Sequence, residues 1–239
     1  MLNGKVALVT GASRGLGRQI ALTLAANGSH LALAARNADE LSELATLIQT
    51  QTPQSKVFYT SCDLIDSQQL NNFYTEASTT LGDIDILINN AGTGAYKPFI
   101  EHSEHEISQI LALNLESAIQ LCLRAIPGMT GKGSGHIVNI ASDLSHRPLA
   151  NMAPYVASKY GLRGFSLSLL REVKDQGIKV TLVNPGIIDT GFNGGTEGSQ
   201  VSEQALAPKA LAETILNLLT GPKHQVIDEL TLHPLRQDF

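Results

Sequence analysis

The sequence has no tryptophan, and its aromatic content is only 5%. Charged residues are also scarce, at 16%, and the formal net charge is −5. No dense run of lysine and arginine is present, so neither nucleic acid nor an anionic membrane is expected as a partner. Hydrophobic residues make up 43% of the 239 residues, which is enough for a sizeable core and excludes intrinsic disorder.

Cysteine is limited to Cys62 and Cys122. Two cysteines are too few for a disulfide framework, and neither has a Cys or His partner at metal-ligand spacing, so we expect free thiols and no bound metal. No stretch approaches the ~18 consecutive apolar residues of a membrane span. The first apolar segment is too short for a signal peptide, and these observations together predict a cytoplasmic protein.

Short apolar runs recur along the chain, and each is followed by a stretch with helical periodicity. The runs are continuous rather than alternating, which is typical of strands buried on both faces of a parallel sheet. The predicted strands are 6–10, 31–35, 57–60, 84–88, 136–141, 180–184 and 226–232. The predicted helices are 15–27, 38–50, 67–81, 104–127, 154–176 and 207–220.

This alternation predicts an α/β fold of the Rossmann type, a doubly wound parallel sheet of seven strands with helices on both faces in three αβα layers. The Gly/Pro/Ser-rich pieces 131–135 and 191–202 lie within the alternation rather than between two cores. We therefore expect residues 1–239 to form a single domain.

A glycine-rich turn follows the first predicted strand. The sequence from Thr10 to Gly17 has the spacing G-x-x-x-G-x-G and leads directly into a helix. Such a turn lets the backbone approach a pyrophosphate, and the helix N-terminus offers free N–H groups. It therefore predicts a dinucleotide site.

Tyr155 and Lys159 are four residues apart on a predicted helix and therefore share one face. A free tyrosine titrates near ~10 and is a poor proton shuttle at neutral pH. A nearby ammonium favours the phenolate, so we expect Lys159 to lower the pKa of Tyr155.

Further motifs follow in a fixed order along the chain. They are Asp63 after the third strand, Asn89-Asn90-Ala91-Gly92 after the fourth, Asn114 in mid-helix, Ser142 after the fifth, Tyr155-x-x-x-Lys159, Pro185-Gly186 and Thr190. In this order and spacing, the chain resembles the short-chain dehydrogenase/reductase family over essentially its whole length.

The resemblance implies a catalytic set of Asn114, Ser142, Tyr155 and Lys159. Tyr155 would give a proton to a substrate carbonyl oxygen as hydride arrives from a nicotinamide, and would accept it in the reverse reaction. Ser142 would hydrogen-bond the substrate oxygen. Lys159 would also hold the nicotinamide ribose, and Asn114 would kink its helix and hold a relay water.

The resemblance also implies the residues that bind the cofactor. Asp63 and Leu64 would contact the adenine, Asn90 and Gly92 the adenosine ribose, and Ile188 and Thr190 the carboxamide. The complete expected set is Gly11, Ser13, Arg14, Gly15, Leu16, Gly17, Arg36, Asp63, Leu64, Asn90, Ala91, Gly92, Tyr155, Lys159, Pro185, Gly186, Ile188 and Thr190.

The tip of the second strand indicates which nicotinamide cofactor is used. An acidic residue there would bind the ribose 2′-hydroxyl and repel a 2′-phosphate. Arg36 occupies the tip instead, and Arg14 lies in the glycine-rich turn. Two guanidinium groups bind a phosphate with charge-assisted hydrogen bonds, so we expect NADP(H).

The predicted function is the NADPH-dependent reduction of a small-molecule carbonyl to a secondary alcohol. The alternatives are NADP-dependent alcohol oxidation and a non-catalytic NADPH-binding sensor or scaffold. Within the family, the chain is most similar to 3-oxoacyl-[acyl-carrier-protein] reductases, but Gly133 and Gln176 stand where those tend to carry basic residues. This departure leaves a small ketone, a sugar or a 3-oxoacyl thioester open as substrate.

Three further expectations concern loops and surfaces. Residues 191–206 are expected to form a lid over the substrate. His146 either lines the substrate entrance or is an ordinary loop residue, and His102 and His105 are expected to be a surface pair rather than metal ligands. The apolar faces of 104–127 and 154–176 predict a homodimer or homotetramer.

Overall fold

A computed structural model describes residues 2–192 and 203–237 of the chain. Its centre is a parallel sheet of seven strands in the order β3-β2-β1-β4-β5-β6-β7. The strands are β1 (Val6–Thr10), β2 (His30–Ala35), β3 (Val57–Ser61), β4 (Ile86–Asn89), β5 (Gly135–Ile140), β6 (Ile178–Pro185) and β7 (Glu229–Leu232). The predicted doubly wound sheet is confirmed.

Helices cover both faces of this sheet. They are α1 (Gly15–Ala26), α2 (Ala38–Gln51), α3 (Ser67–Leu81), α4 (Glu104–Leu111), α5 (Ser117–Lys132), α6 (Ala153–Val173) and α7 (Pro208–Thr220). Helices α1, α2 and α7 pack on one face, and α3, α5 and α6 pack on the other. Successive residues of β1 alternate between the two cores, with Ala7 and Val9 in one and Val6 and Leu8 in the other.

Most boundaries agree with the sequence to within two residues, with three exceptions. The helix predicted over 154–176 ends at Val173, and a 3-10 turn, Lys174–Gln176, follows it. The helix predicted to end at residue 127 continues to Lys132. Pro127 lies on its exposed side, where water can solvate the carbonyl that the missing N–H leaves unpaired. The last strand begins at Glu229 rather than at residue 226, because only 229–232 pair with β6.

A π-helical turn, Ala112–Glu116, joins α4 to α5 and contains Asn114. The family resemblance implied a kink of the helix at this residue, and π-turns inside helices are frequent at functional sites. In the described part of the chain, the combined helix Glu104–Lys132 is the one that could span a membrane by length and composition. One of its faces packs into the core beside α3 and α6.

The sheet order reverses at β1, which lies between β2 and β4. In open α/β sheets, ligands bind at the carboxyl ends of the strands at such a switch point. The glycine-rich turn after β1 and the Asn90–Gly92 loop after β4 both lie there.

Candidate active site

A single cavity of about 1200 Å³ runs along the carboxyl edge of the sheet. Its wall is formed by the segments that follow β1, β2, β3, β4, β5 and β6, together with the start of α6. Every residue that the sequence predicted to bind a cofactor lines this cavity. Of the predicted catalytic residues, Ser142, Tyr155 and Lys159 line it, and Asn114 is buried behind its wall.

The glycine-rich turn fits a closely approaching ligand because side chains are excluded from it. Gly11 and Gly15 have positive φ angles of 63° and 53°, a region that favours glycine. A Cβ at Gly17 would overlap the carbonyl of Gly11, and one at Gly15 would lie 3.2 Å from the Thr190 methyl. The first turn of α1 therefore presents bare backbone N–H groups to the cavity, as a pyrophosphate requires.

Hydrogen bonds fasten the loop after β4 to this turn. The Thr10 hydroxyl oxygen accepts from the backbone N–H groups of Asn90 and Ala91, each at 3.0 Å. The Asn90 amide donates to the carbonyls of Thr10 at 2.9 Å and Gly11 at 3.3 Å. The two loops that frame the dinucleotide cleft therefore form one structural unit.

The catalytic candidates converge from β5 and α6. Ser142 follows the end of β5, Tyr155 lies in the first turn of α6, and Lys159 lies one turn later. Lys159 Nζ is 5.6 Å from the centre of the Tyr155 ring and donates a 2.9 Å hydrogen bond to the Ile140 carbonyl. An ammonium has three N–H donors, so two remain for groups in the cavity.

The expectation that Lys159 lowers the pKa of Tyr155 is wrong for the protein alone. Burial raises the pKa of Tyr155 to about 12; the hydrogen bond with Ser142 opposes the rise, and the Asp143 carboxylate adds to it. Burial also lowers the pKa of Lys159 to about 8. Desolvation is therefore the main cause of both shifts, and Tyr155 is a protonated phenol at neutral pH.

Asn114 is held in place by three hydrogen bonds. Its Oδ1 accepts from Thr93 N at 2.8 Å, and its Nδ2 donates to Thr93 O at 2.8 Å and to Ser158 Oγ at 3.0 Å. A Cβ at Gly92 would lie 3.3 Å from Asn114 Oδ1 and 3.7 Å from Lys159 Nζ. The side chains of Asn114 and Lys159 therefore both approach Gly92 in the cavity wall. The relay water remains a prediction.

The far end of the cavity carries the two predicted arginines. Arg14 is the residue before α1, and Arg36 follows the last residue of β2; both are exposed. Asp63 and Leu64 line the wall between this end and the centre. Glu40, in the first turn of α2, also lines this end and places one carboxylate near the arginines.

The other end is formed by the segment after β6. Ile188 bridges to Leu206, and Thr190 N donates to the Ile188 carbonyl at 2.8 Å. The rings of Phe192 and Tyr155 are 6.1 Å apart. Of the predicted lid 191–206, residues 193–202 lie outside the described residues.

His146 was expected either to line the substrate entrance or to be an ordinary loop residue, and the structure favours the second. His146 does not line the cavity; its Nε2 lies 2.8 Å from a carboxylate oxygen of Glu229, which Arg163 also contacts at 2.8 Å. Burial would raise the pKa of Glu229, but hydrogen bonds from Arg163 and Asn184 lower it. Within residues 2–192 and 203–237, no three His, Cys, Asp or Glu side chains form a metal site.

Two residues at the substrate end were missed by the sequence analysis. Asp143 lies beside Ser142, and Gln237 reaches the cavity from the C-terminal segment. A carboxylate directly after the serine was the available signal for Asp143. Nothing local marked Gln237, which is 94 residues from its partner in sequence.

The sequence matches the model of the short chain dehydrogenase family over residues 5–200. The chain belongs to this family. It is therefore an oxidoreductase of the short-chain dehydrogenase/reductase (SDR) type, with the Rossmann-like fold and the nicotinamide-dependent chemistry of that family.

Curated relatives agree with this assignment. An uncharacterized oxidoreductase of Staphylococcus aureus strain N315 is 31% identical over 235 residues, which cover 98% of this chain and 99% of the relative. An uncharacterized oxidoreductase of Staphylococcus epidermidis is 31% identical over 232 residues, covering 97% of each chain.

Solved SDR structures share the whole fold. An alcohol dehydrogenase from the archaeon Thermococcus sibiricus, complexed with 5-hydroxy-NADP, has a TM-score of 0.92 and 31% identity over 98% of both chains. The L-sorbose reductase of Gluconobacter frateurii, complexed with NADPH and L-sorbose, has a TM-score of 0.88 and 27% identity over 99% of this chain and 98% of that one. These similarities do not confirm the 3-oxoacyl-carrier-protein reductase subtype.

The buried Lys159 ammonium gives this SDR protein a testable pH dependence of stability. Its folded pKa of about 8 lies below the ordinary value of 10.5. Between these values the unfolded chain binds more protons, so stability rises with pH. Replacing Lys159 by Met removes the buried charge, and we expect a higher melting temperature than wild type at pH 7.

That advantage should shrink by up to about 3 kcal/mol as the pH rises from 8 to 10.5. Thermal unfolding followed by far-UV circular dichroism at several pH values measures it. Lys209→Met, at an exposed position of α7, is the matched control. A wild-type-to-variant difference that is constant with pH would contradict the prediction.

Proposed function

We propose that the protein reduces a ketone or other carbonyl to a secondary alcohol with NADPH, using Tyr155 as the proton donor. The observation that carries this proposal is that the Tyr155 phenol, the Ser142 hydroxyl and the Lys159 ammonium meet in the dinucleotide cleft. Burial raises the pKa of Tyr155 to about 12, so the phenol carries its proton at neutral pH, and a nearby cation is needed to stabilise the phenolate that forms on transfer. A group that is protonated at rest suits the reductive direction.

Each catalytic side chain has a distinct task in this proposal. The Tyr155 hydroxyl donates its proton to the carbonyl oxygen, and the Ser142 hydroxyl donates a hydrogen bond to the same oxygen as its negative charge develops. Lys159, 5.6 Å from the ring centre, stabilises the phenolate that remains. The bound dinucleotide supplies the hydride.

Asn114 has a positioning task. It is tied to the first turn of α6 because its Nδ2 donates to Ser158 Oγ, which in turn donates to the Tyr155 carbonyl at 2.6 Å. This chain of bonds holds the turn that carries Tyr155 against the π-helical turn. In the proposed relay, a water held by Asn114 would pass protons to Lys159.

The proposed preference for NADP(H) rests on Arg14 and Arg36 at the adenosine end of the cavity. Their guanidinium groups can bind a 2′-phosphate, and no carboxylate follows β2 directly. The similar alcohol dehydrogenase and L-sorbose reductase structures contain 5-hydroxy-NADP and NADPH. Asp63 and Leu64 would hold the adenine, and Ile188 and Thr190 the carboxamide.

We further propose a homodimer or homotetramer. The outer face of α4 and α5 exposes the apolar side chains of Leu111, Ile119 and Leu123, the last at 70%. Tyr160 on the neighbouring α6 is also exposed. Contiguous exposed apolar groups of this kind mark protein interfaces.

The single-domain organisation of residues 1–239 and the cytoplasmic location belong to the same proposal. One sheet takes its strands from both ends of the described chain, which supports one domain. Cys62 and Cys122 are buried free thiols, which fit a reducing compartment.

Replacing Tyr155 by Phe should lower carbonyl reduction at least about 100-fold, because the proton donor is removed. Oxidation of NADPH, followed at 340 nm against a panel of ketones, ketoses and 3-oxoacyl thioesters, measures it. Tyr160→Phe, on the same helix but exposed, is the matched control and should retain activity. NADPH binding without turnover by wild type on the whole panel would favour a sensor.

Replacing Arg36 by Asp should weaken NADPH binding about 10- to 100-fold while sparing NADH, because a carboxylate repels the 2′-phosphate. Dissociation constants from reduced-nicotinamide fluorescence measure both cofactors. Arg171→Asp, at an exposed position at the end of α6, controls for the charge change. An unchanged NADPH/NADH ratio in Arg36→Asp would refute the assignment.

Light scattering should give a mass of two or four times 25.5 kDa. Leu123→Glu should shift the mass towards one chain, because a charge on the proposed interface opposes burial. Glu104→Gln, at an exposed position at the start of α4, should leave the mass unchanged. A wild-type mass of one chain would contradict the proposed assembly.

A further inference from the structure

Asp143 and Gln237 lie at the substrate end of the cavity, and the proposed chemistry does not use them. Asp143 opens the short 3-10 turn that follows Ser142 and is only 5% exposed. A carboxylate this deeply buried is costly unless hydrogen bonds compensate for its lost hydration. The structure shows two such bonds, and both involve residues of the site.

One chain of hydrogen bonds joins four groups: the Ser142 hydroxyl, the Asp143 carboxylate, the Gln237 carboxamide and the Ile187 N–H. Ser142 Oγ donates to Asp143 Oδ1 at 3.1 Å, and Gln237 Nε2 donates to Asp143 Oδ2 at 2.6 Å. The backbone N–H of Ile187 donates to Gln237 Oε1 at 2.9 Å. The chain therefore links the serine of the substrate site to the segment that follows β6.

Only an amide side chain satisfies both neighbours of Gln237. Its N–H group faces an acceptor, the Asp143 carboxylate, and its oxygen faces a donor, the Ile187 N–H. A carboxylate at this position could accept from Ile187 but would have no proton for Asp143. The identity of this residue is thus matched to its surroundings.

The glycine beneath Gln237 supports the same conclusion. A Cβ at Gly186 would overlap the Gln237 carboxamide oxygen and lie 2.9 Å from His233 Cβ. The backbone N–H of Gly186 donates to the Leu232 carbonyl at 2.8 Å, so the last strand holds the tail against this segment. Gln237 is therefore packed into the wall of the cavity.

We propose that Asp143 and Gln237 are positioning residues that aim the Ser142 hydroxyl and oppose ionisation of the Tyr155 phenol. The inference rests on the proposed function and deepens it. Ser142 has one hydroxyl proton, which Asp143 accepts, so the serine oxygen keeps its lone pairs turned towards other donors, including Leu144 N at 3.2 Å. When a substrate binds, rotation of the Ser142 hydroxyl moves its hydrogen bond from Asp143 to the substrate oxygen.

The charges around Tyr155 come from several elements. Asp143, after β5, disfavours the phenolate, and Lys159, on the same helix as Tyr155, favours it. Arg147 and Arg236 line the same cavity. His146 and Arg163 contact Glu229 rather than the site. Among the described residues, Asp143 is the carboxylate whose charge adds to the rise in the pKa of Tyr155, a rise that burial mainly causes.

The first test measures ionisation of Tyr155 without substrate or cofactor. With a pKa of about 12, roughly a tenth of this residue is tyrosinate at pH 11. Asp143→Asn removes the opposing charge and should raise that fraction above the wild-type value. Stopped-flow absorbance at 295 nm after a jump to pH 11, with Tyr155→Phe subtracted in each background, reports it.

Asp175→Asn, at an exposed position after α6, is the matched control and should behave as wild type. An Asp143→Asn signal equal to that of Asp175→Asn would overturn the proposal. Because this test needs no turnover, it separates the positioning role from failure of the proposed function. Should Asp143→Asn lose its native circular dichroism, the second test decides.

The second test concerns Gln237→Glu, which keeps an acceptor for Ile187 but opposes Asp143. We expect kcat/KM of the NADPH-dependent reduction to fall at least about tenfold at pH 8 and to recover towards pH 6, where one carboxylate holds a proton. Gln225→Glu, an exposed surface change, should follow the wild-type profile. A wild-type pH profile for Gln237→Glu would overturn the role of Gln237.

Discussion

The site depends on the buried ammonium of Lys159, which is 4% exposed and donates to the Ile140 carbonyl at 2.9 Å. This bond ties α6 to the end of β5, and it therefore sets Tyr155 against Ser142. Taking a charge out of water is expensive, as the pKa of about 8 shows. The charge is buried at a position where it faces the dinucleotide cleft and the Tyr155 phenol.

The parts of the structure that follow from local sequence were predictable. Continuous apolar runs predicted the strands because both faces of a parallel sheet are covered. The glycine spacing after β1 predicted the cradle, because Gly17 cannot carry a Cβ beside the Gly11 carbonyl. The four-residue spacing of Tyr155 and Lys159 placed both on one helical face. Helix continuation through Pro127 was missed, since exposure of that position depends on packing.

Features that depend on long-range contacts could not be predicted in this way. The buried amides of Asn89 and Asn139 meet at 2.8 Å across neighbouring strands, 50 residues apart in sequence. The Asp143–Gln237 bond joins residues still farther apart. The predicted direction of the Tyr155 pKa shift was wrong. The four-residue spacing indicates that a cation is nearby but not how deeply the phenol is buried, and burial has the larger effect here.

The charges along the cavity are ordered, and this order links cofactor selection to proton transfer. Arg14 and Arg36 lie at one end, Lys159 near the middle and Asp143 at the substrate end. The phenol of Tyr155 is thus between a cation that favours its ionisation and an anion that opposes it. Because Lys159 loses its charge near pH 8, the cation disappears just above neutrality while the phenol remains protonated. Stabilisation of the phenolate by a neighbouring cation therefore depends on the protonation of Lys159, and it is fully present only below about pH 8.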